Sequence, residues 1–259
     1  MASEPLYLTG STAGIRQYVD QFDTAPLINS VFIPQSEVFS SSYSSSIYIS
    51  RILSLPPDKR TVFVIGEAGI ETELRNESLT LIGGTDPRYQ QSITPADYAN
   101  IASGAALDKS VGVVLCGLDF HLSYLKLAYA YHYITQNNAI FLATNSDVTL
   151  PSNSTLFPGA GACFAPLVAA LGGQQPETLG KPSQKMMDAV ESRFRFDRKR
   201  ACMVGDRLNT DIRFGVEGGL GGTLCVLTGV TRGKEDWAGE GSVKPSAWVD
   251  RLGDLAVGL

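Results

Sequence analysis

ACMVGDRLNTDIRFG, residues 201–215, passes from strand to turn to helix without a break. Ala201 to Val204 is a short apolar run of the kind that forms a strand buried on both faces. Gly205 permits a tight turn. Asp206 then stands at the carboxyl end of the strand, and Asp211 opens the next helix, read over Asp211 to Glu217. Four more runs share the character of the first: TVFVIG (61–66), VGVVLCG (111–117), AIFLAT (139–144) and TLCVLTG (223–229). Helical patterns lie between them at Tyr124 to Thr135 and at Ser183 to Phe194, the second started by Pro182, which is preorganised for a first turn. Strands alternating with helices make this an α/β chain with a mainly parallel, Rossmann-like sheet.

Composition bounds the function. The chain has 259 residues, 44% of them hydrophobic, enough for one large domain or two small ones with a sizeable core. The net charge is −5, with acids and bases interspersed. No basic stripe is present to neutralise a phosphate backbone, so nucleic acid is not an expected partner. No apolar run reaches the roughly 18 residues a membrane helix requires. MASEPLYLTG lacks a basic end followed by an apolar stretch, so neither a membrane partner nor a secretory signal is expected. Cys116, Cys163, Cys202 and Cys225 sit in or beside apolar runs and form no C-x-x-C pair; buried free thiols and a reducing cytoplasmic location are expected. The serine-rich Ser40 to Ser46 leads into IYISRIL, where Ile47, Ile49 and Leu53 line one face of a helix or strand. Asn145 to Gly161, with two prolines and no period, reads as a long loop, and such loops are often functional.

Two segments carry chemistry. Asp206 and Asp211 place two carboxylates on one turn, at the sheet edge where open parallel sheets bind ligands, and could hold a magnesium ion. The same two residues also suit helix caps. In LGKPSQKMMDAV (179–190), Lys181 lies between a glycine and a proline just before a helix. Its ammonium and the free N–H groups of that helix could meet a phosphate. Gly-Lys-Pro alone is weak. Gly-Lys-Pro, a helix, an apolar strand and then Gly-Asp-x-x-x-x-Asp is a specific order.

Together these segments resemble the third and fourth motifs of the haloacid dehalogenase superfamily of phosphatases. GLDFHLSYLKL, FLATNSDVTLP, FPGAG, GKPSQKMMDAV and MVGDRLNTDIRFG narrow the resemblance to its 4-nitrophenyl phosphatase and phosphoglycolate phosphatase branch, from about Val38 to the C-terminus. The resemblance implies an α/β core with an inserted α/β cap: 1–65 as the N-terminal part of the core, 66–144 as the cap, 145–161 as a substrate loop and return linker, and 162–259 as the rest of the core. It implies Mg2+ held by Asp206 and Asp211, phosphate held by Lys181, and a small phosphate ester as substrate. It places Asn145, Asp147, Leu150 and Pro151 in a cap loop that reaches the substrate, with His121 also facing the cap's substrate side, and it implies a homodimer formed through the cap. Leu150 resembles the phosphoglycolate branch.

The resemblance is incomplete. The family's nucleophile is the first aspartate of an Asp-x-Asp-Gly segment at the end of the first core strand; it forms an aspartyl phosphate, and the second aspartate is the general acid and base. No Asp-x-Asp occurs in this chain. Asp20 and Asp23 match the lead-in upstream, and the chain passes from Phe22-Asp23-Thr24 through APLINSVFIPQSEVF straight to what should follow the second strand. Thr144-Asn145-Ser146 looks like the missing phosphate-hydroxyl motif, but beside Asp147 it matches the cap loop. The expectation is a core without its first two strands and a chain without its nucleophile. Leu27 to Ile33, between Pro26 and Pro34, could form one short substitute strand.

Overall fold

The five apolar runs are strands in the structure, a computed structural model that describes residues 6–7, 38–152, 155–239 and 241–258. In chain order the strands are β1 (Leu6–Tyr7), β2 (Thr61–Ile65), β3 (Thr80–Gly83), β4 (Val111–Cys116), β5 (Ile140–Ala143), β6 (Thr149–Ser152), β7 (Thr155–Pro158), β8 (Glu177–Thr178), β9 (Cys202–Gly205), β10 (Gly222–Val226) and β11 (Ala247–Val249). The helices are α1 (Ser41–Ile47), α2 (Ala68–Asn76), α3 (Pro95–Ala102), α4 (Tyr124–Gln136), α5 (Ala160–Ala170), α6 (Gln184–Phe194) and α7 (Arg213–Glu217). The chain forms two units, Phe39–Gly180 and Met1–Val38 with Lys181–Leu259.

The unit Phe39–Gly180 is built on a parallel sheet in the order β3-β2-β4-β5-β8. Its inner strands β2, β4 and β5 are almost wholly apolar because both faces are covered. Phe63, Ile65, Val114 and Cys116 pack under Leu125, Tyr133 and Ile134 of α4 and Phe164 and Leu167 of α5. Val62, Val64, Val113 and Leu115 pack on the other face against Tyr48 and Ile49 and against Ile70 and Leu74 of α2. Successive side chains point to opposite faces, so a strand covered on both sides shows no polar alternation. The serine run is the start of α1. Ser40 caps it by accepting from the Tyr43 N–H, and Ser44, Ser45 and Ser46 are buried. The Ser44 hydroxyl donates to the Leu179 carbonyl at 2.9 Å, so the segments that enter and leave this unit lie side by side.

The expected cap, 66–144, falls inside the compact unit Phe39–Gly180. TVFVIG, at the end of the expected N-terminal part of the core, pairs its backbone with β3 and β4. An apolar run identifies a buried strand without saying which sheet takes it. The expected loop 145–161 contains an antiparallel hairpin of β6 and β7, with Leu150 opposite Phe157, and runs into α5. Pro151 and Pro158 hid it, because proline offers no N–H to a ladder and is confined to strand edges.

The second unit holds a parallel sheet in the order β1-β11-β10-β9. Leu224, Ala247 and Val249 form one small core, and Ile212, Cys225 and Trp237 another. Among the described residues β9 has one neighbour, β10, and Val204 on it is 39% exposed. Leu27 to Ile33, Asp20 and Asp23 lie outside the described residues. Cys116, Cys163 and Cys225 are buried, Cys202 is half-buried, and none of the four is disulfide-bonded. No helix among the described residues is long and apolar enough to cross a membrane.

Candidate functional site

Asp206 follows β9 directly, and the segment after β10 closes over it. The Val230 N–H donates to Asp206 Oδ2 at 2.7 Å, and the Thr231 N–H donates to the Asp206 carbonyl at 2.9 Å. Thr231 is buried, and its hydroxyl hydrogen-bonds the Cys225 thiol. Burial pushes that thiol up to about 11. Among the described residues Asp206 Oδ1 has no hydrogen-bond partner.

Asp211 sits on a single π-helical turn, Leu208–Ile212, and is 6% exposed. Its Oδ2 accepts from the Asp206 and Arg207 N–H groups, both at 3.2 Å. Its Oδ1 accepts from Lys181 Nζ at 2.7 Å. Gly205 allows this: a Cβ there would overlap the Asp211 carboxyl group. The three residues singled out in the sequence therefore converge, with an uneven division of labour. Both Asp211 oxygens are engaged in holding the turn and the lysine, whereas Asp206 keeps one carboxylate oxygen without a partner. Lys181 lies just ahead of α6, whose cap Ser183 accepts from the Lys185 N–H.

Of the residues expected in the cap, His121 follows β4, Asn145 and Asp147 follow β5, and Leu150 and Pro151 lie on β6. The Asn145 side chain accepts from the Asp147 N–H at 3.2 Å, and the Asp147 carbonyl accepts from the Gly161 N–H at 2.8 Å. Leu150 is half-buried, and Val148, Leu156 and Phe157 are exposed. His121 is exposed and places Nδ1 3.3 Å from Glu67 Oε1, which also accepts from the Phe120 N–H at 2.7 Å. Asp119 accepts from the His121 N–H at 2.8 Å and from Lys126 Nζ at 2.7 Å, with both charged side chains wholly buried. One ligand atom from each of Glu67, Asp119 and His121 lies within 4.8 Å of the others, a spacing that could hold a metal ion. Here the carboxylates already have an ammonium and backbone N–H groups as partners. This cluster lies where the strand order reverses, since β2 leads outward to β3 and β4 leads outward to β5; crevices of that kind bind ligands in open α/β sheets.

Glu67, Asp119 and Lys126 were not anticipated from the sequence. The readable signal was Lys126, which shares one helical face with the buried Ala130, Tyr133 and Ile134. A lysine on an apolar face requires a buried counter-ion.

Comparison with known proteins fits this geometry. A family model described as HAD-hydrolase-like matches residues 178–255. The chain is 46% identical over 220 residues to a 4-nitrophenylphosphatase of Schizosaccharomyces pombe, covering 85% of this chain and 72% of that one. It is 36% identical over 245 residues to phosphoglycolate phosphatase 2 of Arabidopsis thaliana, covering 93% and 76% respectively. Among solved structures, a putative p-nitrophenyl phosphatase from Bacillus subtilis aligns with TM-score 0.66 at 26% identity, covering 94% of this chain and 77% of that one. A hypothetical protein from Pyrococcus horikoshii aligns with TM-score 0.68 at 31% identity, covering 87% and 76%. The chain belongs to the 4-nitrophenylphosphatase and phosphoglycolate phosphatase family of HAD-like hydrolases.

Proposed function

We propose that this protein is built on a magnesium-dependent phosphatase of small phosphate monoesters, such as 4-nitrophenyl phosphate and 2-phosphoglycolate, and that this chain is catalytically impaired. The observation that carries the reading is the Lys181–Asp211–Asp206 arrangement: a lysine held by one carboxylate beside a second carboxylate with an unpartnered oxygen. Hard carboxylate oxygen is the donor that Mg2+ prefers, so the residues fit the ion, with Asp206 as its ligand and Asp211 acting through Lys181 and the turn. The bound ion would supply positive charge against the ester's phosphate oxygens. Lys181 would bind the same phosphate. By resemblance to the family, Asn145, Asp147, Leu150, Pro151 and His121 are substrate-binding residues, with Leu150 favouring phosphoglycolate.

Impairment follows from the sequence. Without Asp-x-Asp there is no carboxylate to attack phosphorus and no neighbouring aspartate to move the proton. The purified full chain with Mg2+ is expected to bind inorganic phosphate, to lose that binding in Lys181→Ala, and to turn over 4-nitrophenyl phosphate far more slowly than the S. pombe relative. Turnover equal to that relative and abolished by Asp206→Ala refutes the impairment.

The second reading is a pseudophosphatase that binds a partner through its cap. A groove of about 400 Å³ between α3, α4 and α5, lined by Tyr98, Leu127, Tyr131 and Pro166, favours it, with Tyr98 and Tyr124 exposed at its rim. A homodimer through this face is the expected form, measured by sedimentation of the full chain. Genomic DNA between the codons for Thr24 and Ala25 separates the readings. An in-frame Asp-x-Asp-Gly there makes this chain a shortened or mis-spliced product of a phosphatase gene; its absence favours the pseudophosphatase.

A further inference from the structure

The segment after β10 does more than close the turn. A Cβ at Gly229 would overlap the Asp206 carboxylate, so that side chain lies flat against the bare Gly229 backbone. The next N–H, from Val230, binds Asp206 Oδ2, and the one after it, from Thr231, binds the Asp206 carbonyl. Asp206 is thus held by a steric wall and two consecutive donors. One carboxylate oxygen is used, and the other is left without a partner among the described residues. The holder is itself anchored, because Thr231 is buried and bonded to Cys225 on β10. The Val230 side chain is 54% exposed and contributes through its backbone alone.

We propose that Gly229 and Val230 are positioning residues that fix the rotamer of Asp206 and present its Oδ1 to a divalent cation. That cation rests on the reading of Asp206 as a metal ligand; the rotamer does not. Glycine is required at 229 because any side chain would push the carboxylate away. Outer-shell partners of metal ligands typically change metal affinity by about 10- to 100-fold when altered.

Two measurements on the full chain separate these parts. The first is the Val230 amide resonance by NMR without metal. It is expected to move on Asp206→Ala and to move in the same direction on Gly229→Ala. Thr231, bonded to the main-chain carbonyl, should keep its protection from exchange in Asp206→Ala. A Val230 resonance indifferent to Asp206→Ala overturns the proposal whether or not metal binds. The second is Mn2+ affinity by titration calorimetry. Gly229→Ala is expected to weaken it about 10- to 100-fold with unchanged circular dichroism. Gly253→Ala, where a Cβ meets open space, should leave it unchanged. Wild-type affinity in Gly229→Ala overturns the proposal. No Mn2+ binding by the wild type overturns the cation part of the proposal and the metal-ligand reading of Asp206, and leaves the rotamer to be judged by the amide result.

Discussion

Asp119→Ala tests the largest single electrostatic commitment in the unit Phe39–Gly180. Lys126 and Asp119 are 2.7 Å apart, and neither charged side chain reaches solvent. Removing the carboxylate leaves an ammonium with no counter-charge in a place it cannot leave without opening α4. Breaking a buried pair of this kind costs about 3–5 kcal/mol. That is a large share of a domain's margin of about 5–15 kcal/mol. At a urea slope of about 2 kcal/mol/M it lowers the midpoint by roughly 2 M. Both tryptophans, Trp237 and Trp248, lie in the other unit, so tryptophan fluorescence is a poor reporter of this event. Hydrogen exchange of peptides covering β2 and β4, measured against urea, is the suitable assay. The double variant Asp119→Asn/Lys126→Met removes both charges at similar volume and keeps an acceptor for the His121 N–H. It is expected to recover to within about 1–3 kcal/mol of wild type, since no buried charge is left unpaired and the remaining cost is that of the introduced amide's donors. A loss under about 1 kcal/mol in Asp119→Ala would falsify the claim that Lys126 depends on Asp119 as its buried counter-charge.

Acid should loosen the same unit at Glu71. Burial raises its carboxyl, but the Thr85 N–H, the Thr85 hydroxyl and Arg75 outweigh that and hold it below its ordinary value of 4.5. A depressed carboxylate stabilises above 4.5 and loses its contribution as pH falls through the lower folded value, so Glu71→Gln should flatten the acid limb of the stability profile; an unchanged limb argues against it. Lys181→Ala removes a partner that is 42% exposed, so phosphate binding should drop while stability changes by less than about 1 kcal/mol. A larger loss, seen by thermal denaturation, would make Lys181 a structural residue. β9 and β10 should exchange faster than β2 and β4, because β9 has one described neighbour and half-exposed side chains. Equal protection across both sheets would contradict a weakened core.

The longest strands were legible because strands buried on both faces need unbroken apolar runs, as TVFVI and VGVVLC show. Their partners were not legible, since pairing is decided by backbone ladders that leave no trace in a single run. β3 and β11 escaped notice because Thr80–Gly83 and Ala247–Val249 are too short to show a pattern. α3 was readable in principle: Thr94 and Asp97 form a reciprocal capping box with Pro95 in its first turn. Lys181, Asp206 and Asp211 were legible as a group because Gly-Lys-Pro and Gly-Asp-x-x-x-x-Asp fix their order along the chain. How Asp211's two oxygens are shared was not legible, because it depends on a π turn that bends the backbone back over Gly205. Gly229 looked like the end of a strand; only the path of the loop brings it over Asp206.

The Ser44–Leu179 hydrogen bond has a consequence for how such chains can change. Where a module's first and last residues meet at one point, its host needs only a single break in one loop to receive it. The module can then be lost, gained or exchanged without pulling apart a host strand. The Phe39–Gly180 module is expected to tolerate circular permutation, with its own ends joined by a short linker and new ends opened at the exposed Gly172–Gln174 loop.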